Sequence, residues 1–295
     1  MFAALTDIVF DAFQSQISRR ALIGGLLAAT TTALVGTWVV VRGLAFFGDA
    51  LAHGVLPGIA LAAIWGFDLT LGALVSALVM VGGVNLVNRT TRLSDDTGIG
   101  LLFVGMLALG VVILSREPTF TGDLTGFLFG DVLGVRSDEI RLGVIALVIT
   151  AVGLVAGHRS FLALAVNRDK AQTLGLRPDL AHAALLTLLA VSVVSSFRVV
   201  GTLLVFGFLV APPASAVLIV RRIPVAMAVA VLFGWSSVVL GLIVSYHHDT
   251  AASATIAGLA VTQFFVVLAI TETQHWLQRR TAAAQSDQNS LIRTV

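Results

Sequence analysis

Phe46-Phe-Gly-Asp49-Ala-Leu-Ala-His53-Gly-Val-Leu-Pro57-Gly-Ile-Ala-Leu-Ala-Ala-Ile-Trp-Gly66 is an apolar run in which only Asp49 and His53 carry ionisable side chains. Its length matches the roughly 20 residues that a helix needs to cross about 30 Å of hydrocarbon. On a helix, residues four apart share a face one turn apart, so this carboxylate and imidazole stand together. A charged group at the bilayer centre costs about 2.5–3.5 kcal/mol on insertion scales, and such residues ordinarily face a bundle interior or a polar route. The run therefore predicts a membrane-crossing helix that carries a polar site.

The rest of the chain agrees with a membrane solvent. Of 295 residues, 57% are hydrophobic and 12% charged, and the mean hydropathy is +0.99, well outside soluble norms. Runs near 21–41, 46–66, 69–88, 98–115, 139–157, 179–197, 200–220, 225–246 and 252–272 each approach spanning length. Strand-like alternation is absent, which excludes a barrel. The expectation is an all-α integral membrane protein, a polytopic helical bundle of eight or nine transmembrane helices. With no cysteine, disulfides, thiolate ligands and thiol catalysis are excluded together. The pI near 9.9 rests on a net charge of only +2, so the basicity reads as loop charge that sets topology, with no nucleic-acid partner.

Of the 18 Lys and Arg residues, Arg19, Arg20, Arg116, Arg136, Arg141 and Arg198 fall on one side of the predicted spans and the rest on the other. That two-to-one bias puts the C-terminus in the cytoplasm. Residues 1–20 do not read as a cleavable signal, because Asp7 and Asp11 stand where a basic region and apolar core belong. Phe2, Leu5, Val9, Phe13 and Ile17 instead recur at helical spacing, the pattern of an interfacial amphipathic helix. A frayed tail is the alternative. The expected organisation is an amphipathic segment over 1–20, a transmembrane domain over 21–275 and a polar cytoplasmic tail over 276–295.

Three other segments stand out. Residues 122–134 carry Gly126, Gly130 and Gly134 at small-xxx-small spacing with Asp123 and Asp131; too short and acidic to span, they read as re-entrant or interfacial on the outer side. Residues 166–178 form a polar cytoplasmic insertion with a short helical pattern stopped by Gly175 and Pro178. Pro212 and Pro213 sit inside an apolar run, where paired prolines are expected to break or kink a helix near the transport route.

On the residues alone, two readings of Asp49 and His53 stand. In one, Asp49 caps the start of its helix and His53 is buried and hydrogen-bonded. In the other, the pair is a cation site, and doubled across a two-fold axis it becomes an oxygen and nitrogen set suited to Zn²⁺, Mn²⁺ or Fe²⁺. His247-His248-Asp249 lies at an outer turn, while His158, His182 and His275 fall at span ends, and for all of these a solvated or interfacial role is the plainer reading. Arg198 reads as structural, with an acidic outer residue such as Glu117 as partner.

The motifs Phe47-Gly-Asp49-Ala-Leu-Ala-His53-Gly-Val-Leu-Pro57-Gly58, Phe127-Leu-Phe-Gly130-Asp-Val-Leu-Gly134, Lys170-Ala-Gln-Thr-Leu-Gly175-Leu and Val200-Gly201-Thr-Leu-Leu-Val…Pro212-Pro213-Ala-Ser-Ala occur in one order. In this the chain resembles the permease subunits of bacterial ATP-binding-cassette importers for zinc, manganese or iron(II), over roughly residues 18–275. The resemblance implies a fold similar to the vitamin B12 and siderophore importer permeases, in the bacterial plasma (inner) membrane and in contact with lipid. It implies a second permease subunit, giving a homodimer or pseudo-dimer, together with cytoplasmic ATP-binding cassette subunits and an extracytoplasmic metal-binding protein. It also implies that Asp49 and His53 contact the metal, and that the loop with Asp169, Lys170, Ala171, Leu174 and Gly175 couples to the ATPase. No permanently bound cofactor is implied; zinc or manganese is cargo. Asn167, where an aspartate is common in the family, and the doubled proline at 212–213 depart from the pattern.

The chain contains no G-x-x-x-x-G-K-[ST] phosphate loop, so it is not expected to be an enzyme and any ATP hydrolysis belongs to a separate subunit. A gradient-driven secondary metal carrier using Asp49 as a relay is the alternative function. An intramembrane metalloenzyme would need three protein ligands and a base, typically H-E-x-x-H, which is absent.

Overall fold

The computed structural model describes residues 15–91, 93–115, 130, 132–166, 168–173 and 175–293. Its elements are α1 (Gln16–Val41), α2 (Ala45–Gly54), α3 (Leu56–Trp65), α4 (Leu69–Thr90), α5 (Asp95–Leu114), a 3-10 turn (Val132–Gly134), α6 (Ser137–Val166), α7 (Arg168–Thr173), α8 (Pro178–Ile219), α9 (Ile223–His248) and α10 (Ala252–Arg293). Among the described residues there is no strand. Eight helical segments are long and apolar enough to cross a membrane, α2 and α3 counting as one. Residues 16–20 are the first turn of α1; residues 1–14, where most of the amphipathic pattern lies, are outside the described residues.

The ends of the helices follow local chemistry. Ser15, Asp68 and Ser94 cap α1, α4 and α5 by accepting backbone N–H groups, and Pro57, Pro178 and Pro224 sit in first turns, where a missing N–H costs nothing. Several buried hydroxyls are satisfied within their own helices. Thr31, Thr32 and Thr37 on α1 donate to the carbonyls of Leu27, Ala28 and Ala33 at 2.6–2.9 Å. Between helices, Trp235 donates to Thr30 at 2.8 Å and Ser237 to Gln263 at 3.1 Å. Such bonds are worth on average about 0.6 kcal/mol in a membrane, so packing does most of the work of association.

α1 is the hub. Its small residues Gly24, Gly25, Ala28, Ala29 and Gly36 are buried, so α6, α8 and α9 approach it closely. The nature of α8 follows from three contacts along α1. His182, near the start of α8, meets Arg42 at the far end of α1 (3.3 Å); Val199 lies against Gly24 near the start of α1; Leu209 lies against Gly36, well back toward Arg42. α8 therefore crosses the bundle, turns at Gly201 and returns. Gly201 has φ 75° and ψ 163°, a conformation that only glycine adopts without strain. The apolar runs at 179–197 and 200–220 are thus two arms of one continuous element, and the described residues traverse the bundle nine times. This topology puts Arg42, Arg89, Arg159, Arg168, Lys170, Arg177, Arg221 and Arg222 at one end and Arg19, Arg20, Arg136, Arg141 and Arg198 at the other, with the richer end cytoplasmic.

The expected break at Pro212 and Pro213 is corrected by this arrangement. Both prolines lie inside the returning arm, buried in a helix whose non-helical residue is Gly201. Pro213 leaves the Leu209 carbonyl without its helical donor. That carbonyl faces Gly36 of α1, where a Cβ would collide with it. The helix continues through both prolines, with α1 closely approached at Gly36.

Candidate functional site

α2 starts three residues after the cytoplasmic end of α1 and carries Asp49 and His53. Asp49 is in the middle of the helix, whose N-cap is Leu44 with no side-chain cap bond. The capping reading is thereby excluded. Asp49 Oδ1 and His53 Nε2 are 4.0 Å apart, with side chains 41% and 29% exposed. The same helix buries Phe47, Gly48, Ala50, Leu51 and Ala52. The pair thus occupies a face of α2 that the described residues leave partly exposed. Two atoms each about 2.0–2.2 Å from a common ion stand about 3.4 Å apart at the tetrahedral angle and at most about 4.4 Å, so a small rotation brings this pair onto one cation. Among the described residues no third His, Cys, Asp or Glu joins the pair to form a metal-holding group.

Two features around the pair were not legible in the sequence. His53 lies edge-on to Phe103 of α5, ring centroids 5.7 Å apart, and Phe103 makes the same kind of contact with Phe46 at 6.1 Å. Immediately after the pair, the helix is interrupted at Val55, since Pro57 has no N–H to offer the His53 carbonyl. Beside the break, the Gly54 carbonyl accepts the Ser76 hydroxyl of α4 at 2.8 Å. Broken backbone at membrane depth requires such support. Gly58 and Gly72 let α3 and α4 pack backbone to backbone beside it.

The cytoplasmic insertion forms a short helix. Asp169, Lys170 and Ala171 lie on α7, and Ala171 is 1% exposed, which seats this short helix on the bundle. Gly175 ends it with φ 73°: its N–H reaches the Gln172 carbonyl (2.9 Å), and the N–H of Leu176 reaches that of Ala171 (3.1 Å). Leu174 and Asn167 lie outside the described residues, as do Asp123, Asp131 and Gly126 on the outer side.

His182, His158 and His247 lie away from this face. His182 is buried beside Arg42, and His158 packs edge-on against Trp38 at 5.5 Å. His247 is exposed and donates to the Ile243 carbonyl at 2.8 Å, while Asp249 ends α9 in the left-handed region. With Ser18, Leu133 and Tyr246 they line an outer cleft. Arg198 pairs with Glu139 at 3.4 Å and donates to Thr70 at 3.3 Å. Sequence reasoning named Arg198 as structural but not this partner; Glu117 is outside the described residues.

Comparison with known proteins converges on one group. The model of the ABC 3 transport family matches residues 14–271. A protein of Haemophilus influenzae named "Probable iron transport system membrane protein" is 34% identical over 89% of this chain and 97% of its own length. The manganese transport system membrane protein MntC of Listeria monocytogenes is 31% identical over 86% and 90%. Among solved structures, PsaBC from Streptococcus pneumoniae in complex with Fab superposes with a TM-score of 0.81 at 26% identity, over 94% of this chain and 99% of that one.

Proposed function

The chain belongs to the ABC 3 transport family and is a multi-pass inner-membrane permease, and on that premise we propose that it conducts a divalent transition metal, manganese, zinc or iron(II), between Asp49 and His53 of two copies. The observation that carries this reading is the pair itself. A carboxylate and an imidazole stand 4.0 Å apart on a partly exposed face of a membrane helix, with no third ligand from the described part of their own chain. A second copy brought to this face by a two-fold axis supplies the complement, giving two oxygen and two nitrogen donors. Relatives named for manganese and iron transport support the choice of cargo.

Few ligands suit transit. A closed four-ligand site holds zinc as structure, whereas a site that must release its ion gains from a shell completed only while the copies are apposed. In this reading α7 is the seat for a cytoplasmic ATP-binding subunit, because it lies at the basic end and is anchored by Ala171. An extracytoplasmic metal-binding protein delivers the ion to the opposite end. ATP-driven motion of α7 then passes to α6 and α8, on which α7 rests.

The test is accumulation of radiolabelled manganese and zinc in cells lacking the native copy, complemented with wild type or His53→Ala at equal membrane expression. Uptake restored by wild type and lost in His53→Ala is the expected outcome. Equal uptake by the two would remove the pair from the route. Uptake that survives inactivation of the ATP-binding subunit would favour a gradient-driven carrier.

A further inference from the structure

Resting on the reading of Asp49 and His53 as metal contacts in a two-copy assembly, we propose that Phe46, braced by Phe103, is the barrier that closes the cytoplasmic side of the metal site. Helix geometry sets the order of side chains along this face. At about 100° and 1.5 Å per residue, Phe46 and His53 project within about 20° of each other, and Phe46 stands about 4.5 Å to the cytoplasmic side of Asp49 and about 10 Å from the level of His53. The next layer inward from the ligand pair is therefore an aromatic ring.

That ring is placed unlike its neighbour. Phe46 is 44% exposed, while Phe47 is wholly buried in the core. Phe46 therefore lies on the same partly exposed face as the pair, outside the packing that holds the chain together. Its conformation is nonetheless supported, because Phe103 touches it edge-on at 6.1 Å and also touches His53 at 5.7 Å. Phe103 itself packs against the main core. One ring anchored on α5 thus positions both the imidazole and the outward phenyl.

The consequence follows from the chemistry of a divalent ion. Above the ring it has carboxylate and imidazole donors; at the ring it has none. A phenyl layer offers no oxygen or nitrogen in place of lost water, and apolar constrictions block ions by excluding water. When two copies meet on this face, their Phe46 rings form the layer that the ion must pass to reach the cytoplasm. The barrier opens when the two α2 helices separate, the same event that disperses the ligand set. Release and opening are thereby one step.

The experiment uses cells producing the complete importer, with membrane amounts of each variant matched, and follows labelled Mn²⁺ and Zn²⁺ with and without ATP depletion. Phe46→Ala is expected to raise ATP-independent entry roughly tenfold, equivalent to about 1.4 kcal/mol off the barrier, and to depress ATP-driven accumulation. Phe46→Leu keeps an apolar layer and is expected to stay within about twofold of wild type on the same scale. Phe103→Ala, which removes the brace but leaves the ring, is expected to fall between them.

Wild-type passive entry in Phe46→Ala overturns the barrier. So does a loss of accumulation that merely tracks a loss of assembled complex, which would make Phe46 a packing residue between copies. Asp49→Ala separates the two levels of the reading. If it blocks accumulation while Phe46→Ala does not leak, only the barrier falls. If Asp49→Ala accumulates metal normally, the site falls and takes the barrier with it.

Discussion

Two of the acid–base pairs on the helices of this protein are built differently. Glu139 and Arg198 approach to 3.4 Å across two helices, and the Glu139 side chain is 11% exposed. Each has a further partner: Glu139 accepts the Arg136 N–H at 3.1 Å, and Arg198 donates to Thr70 at 3.3 Å. Together they tie α4, α6 and the arm leading into Gly201 at the outer end of the bundle. Asp49 and His53 share one helix, stand 4.0 Å apart, remain partly exposed and have no other polar partner in the described structure. The first pair has spent its hydrogen-bonding capacity on the fold. The second has kept it. A charge in a membrane helix is costly, so one that does not repay its cost in structure marks a place where something else binds.

This contrast is broken most severely by exchanging the roles that it assigns. Asp49→Ala is expected to reduce metal uptake to background while leaving the amount and thermal stability of the membrane complex unchanged, as read by labelled-metal accumulation beside quantified expression. Retained uptake, or lost assembly, would put Asp49 with the structural pair. Ala171→Arg is expected to be next in effect. A large cation in the buried seat of α7 displaces that helix, and we expect transport to fall while ATP hydrolysis by the assembled importer persists, measured as metal moved per ATP consumed.

Glu139→Gln acts on stability. It is expected to lower the thermal midpoint of the detergent-solubilised protein by an amount corresponding to about 1.5–3 kcal/mol, the worth of a hydrogen bond to a charged group, with metal preference unchanged. Changed preference would bring the outer pair into the transport site. The smallest effect is expected from Ser76→Ala, which leaves the Gly54 carbonyl without its donor. A loss of about 1 kcal/mol in stability, with uptake only modestly slowed, would fit a support that holds the helix break after His53.

Much of the fold was legible because hydrophobicity is a strong and local signal. Each of the nine apolar runs corresponds to a pass of the chain, and the asymmetry of Lys and Arg oriented them. The turn between two of those passes was harder. Pro212 and Pro213 are conspicuous in a sequence, and Gly201 is one of 28 glycines; yet the prolines remain helical and the turn falls at Gly201. No local pattern reveals which of these residues turns the chain.

The candidate site divides in the same way. Asp49 and His53 stood out because ionisable groups are rare in such runs, and the four-residue spacing fixed their relation. Phe46 and Phe103 did not stand out among 17 phenylalanines. Their role depends on α5 lying beside α2, a tertiary fact. The partner of Arg198 was likewise invisible, since Glu139 is separated from it by most of two helices.

X-ray absorption at the metal edge of the purified, zinc-loaded two-copy permease tests the central claim most directly. The account predicts oxygen and nitrogen neighbours at about 2.0–2.2 Å with the outer scattering of imidazole, and loss of that outer scattering in His53→Ala. An identical spectrum from wild type and His53→Ala would contradict it, because the metal would then be held without the residue on which the account rests.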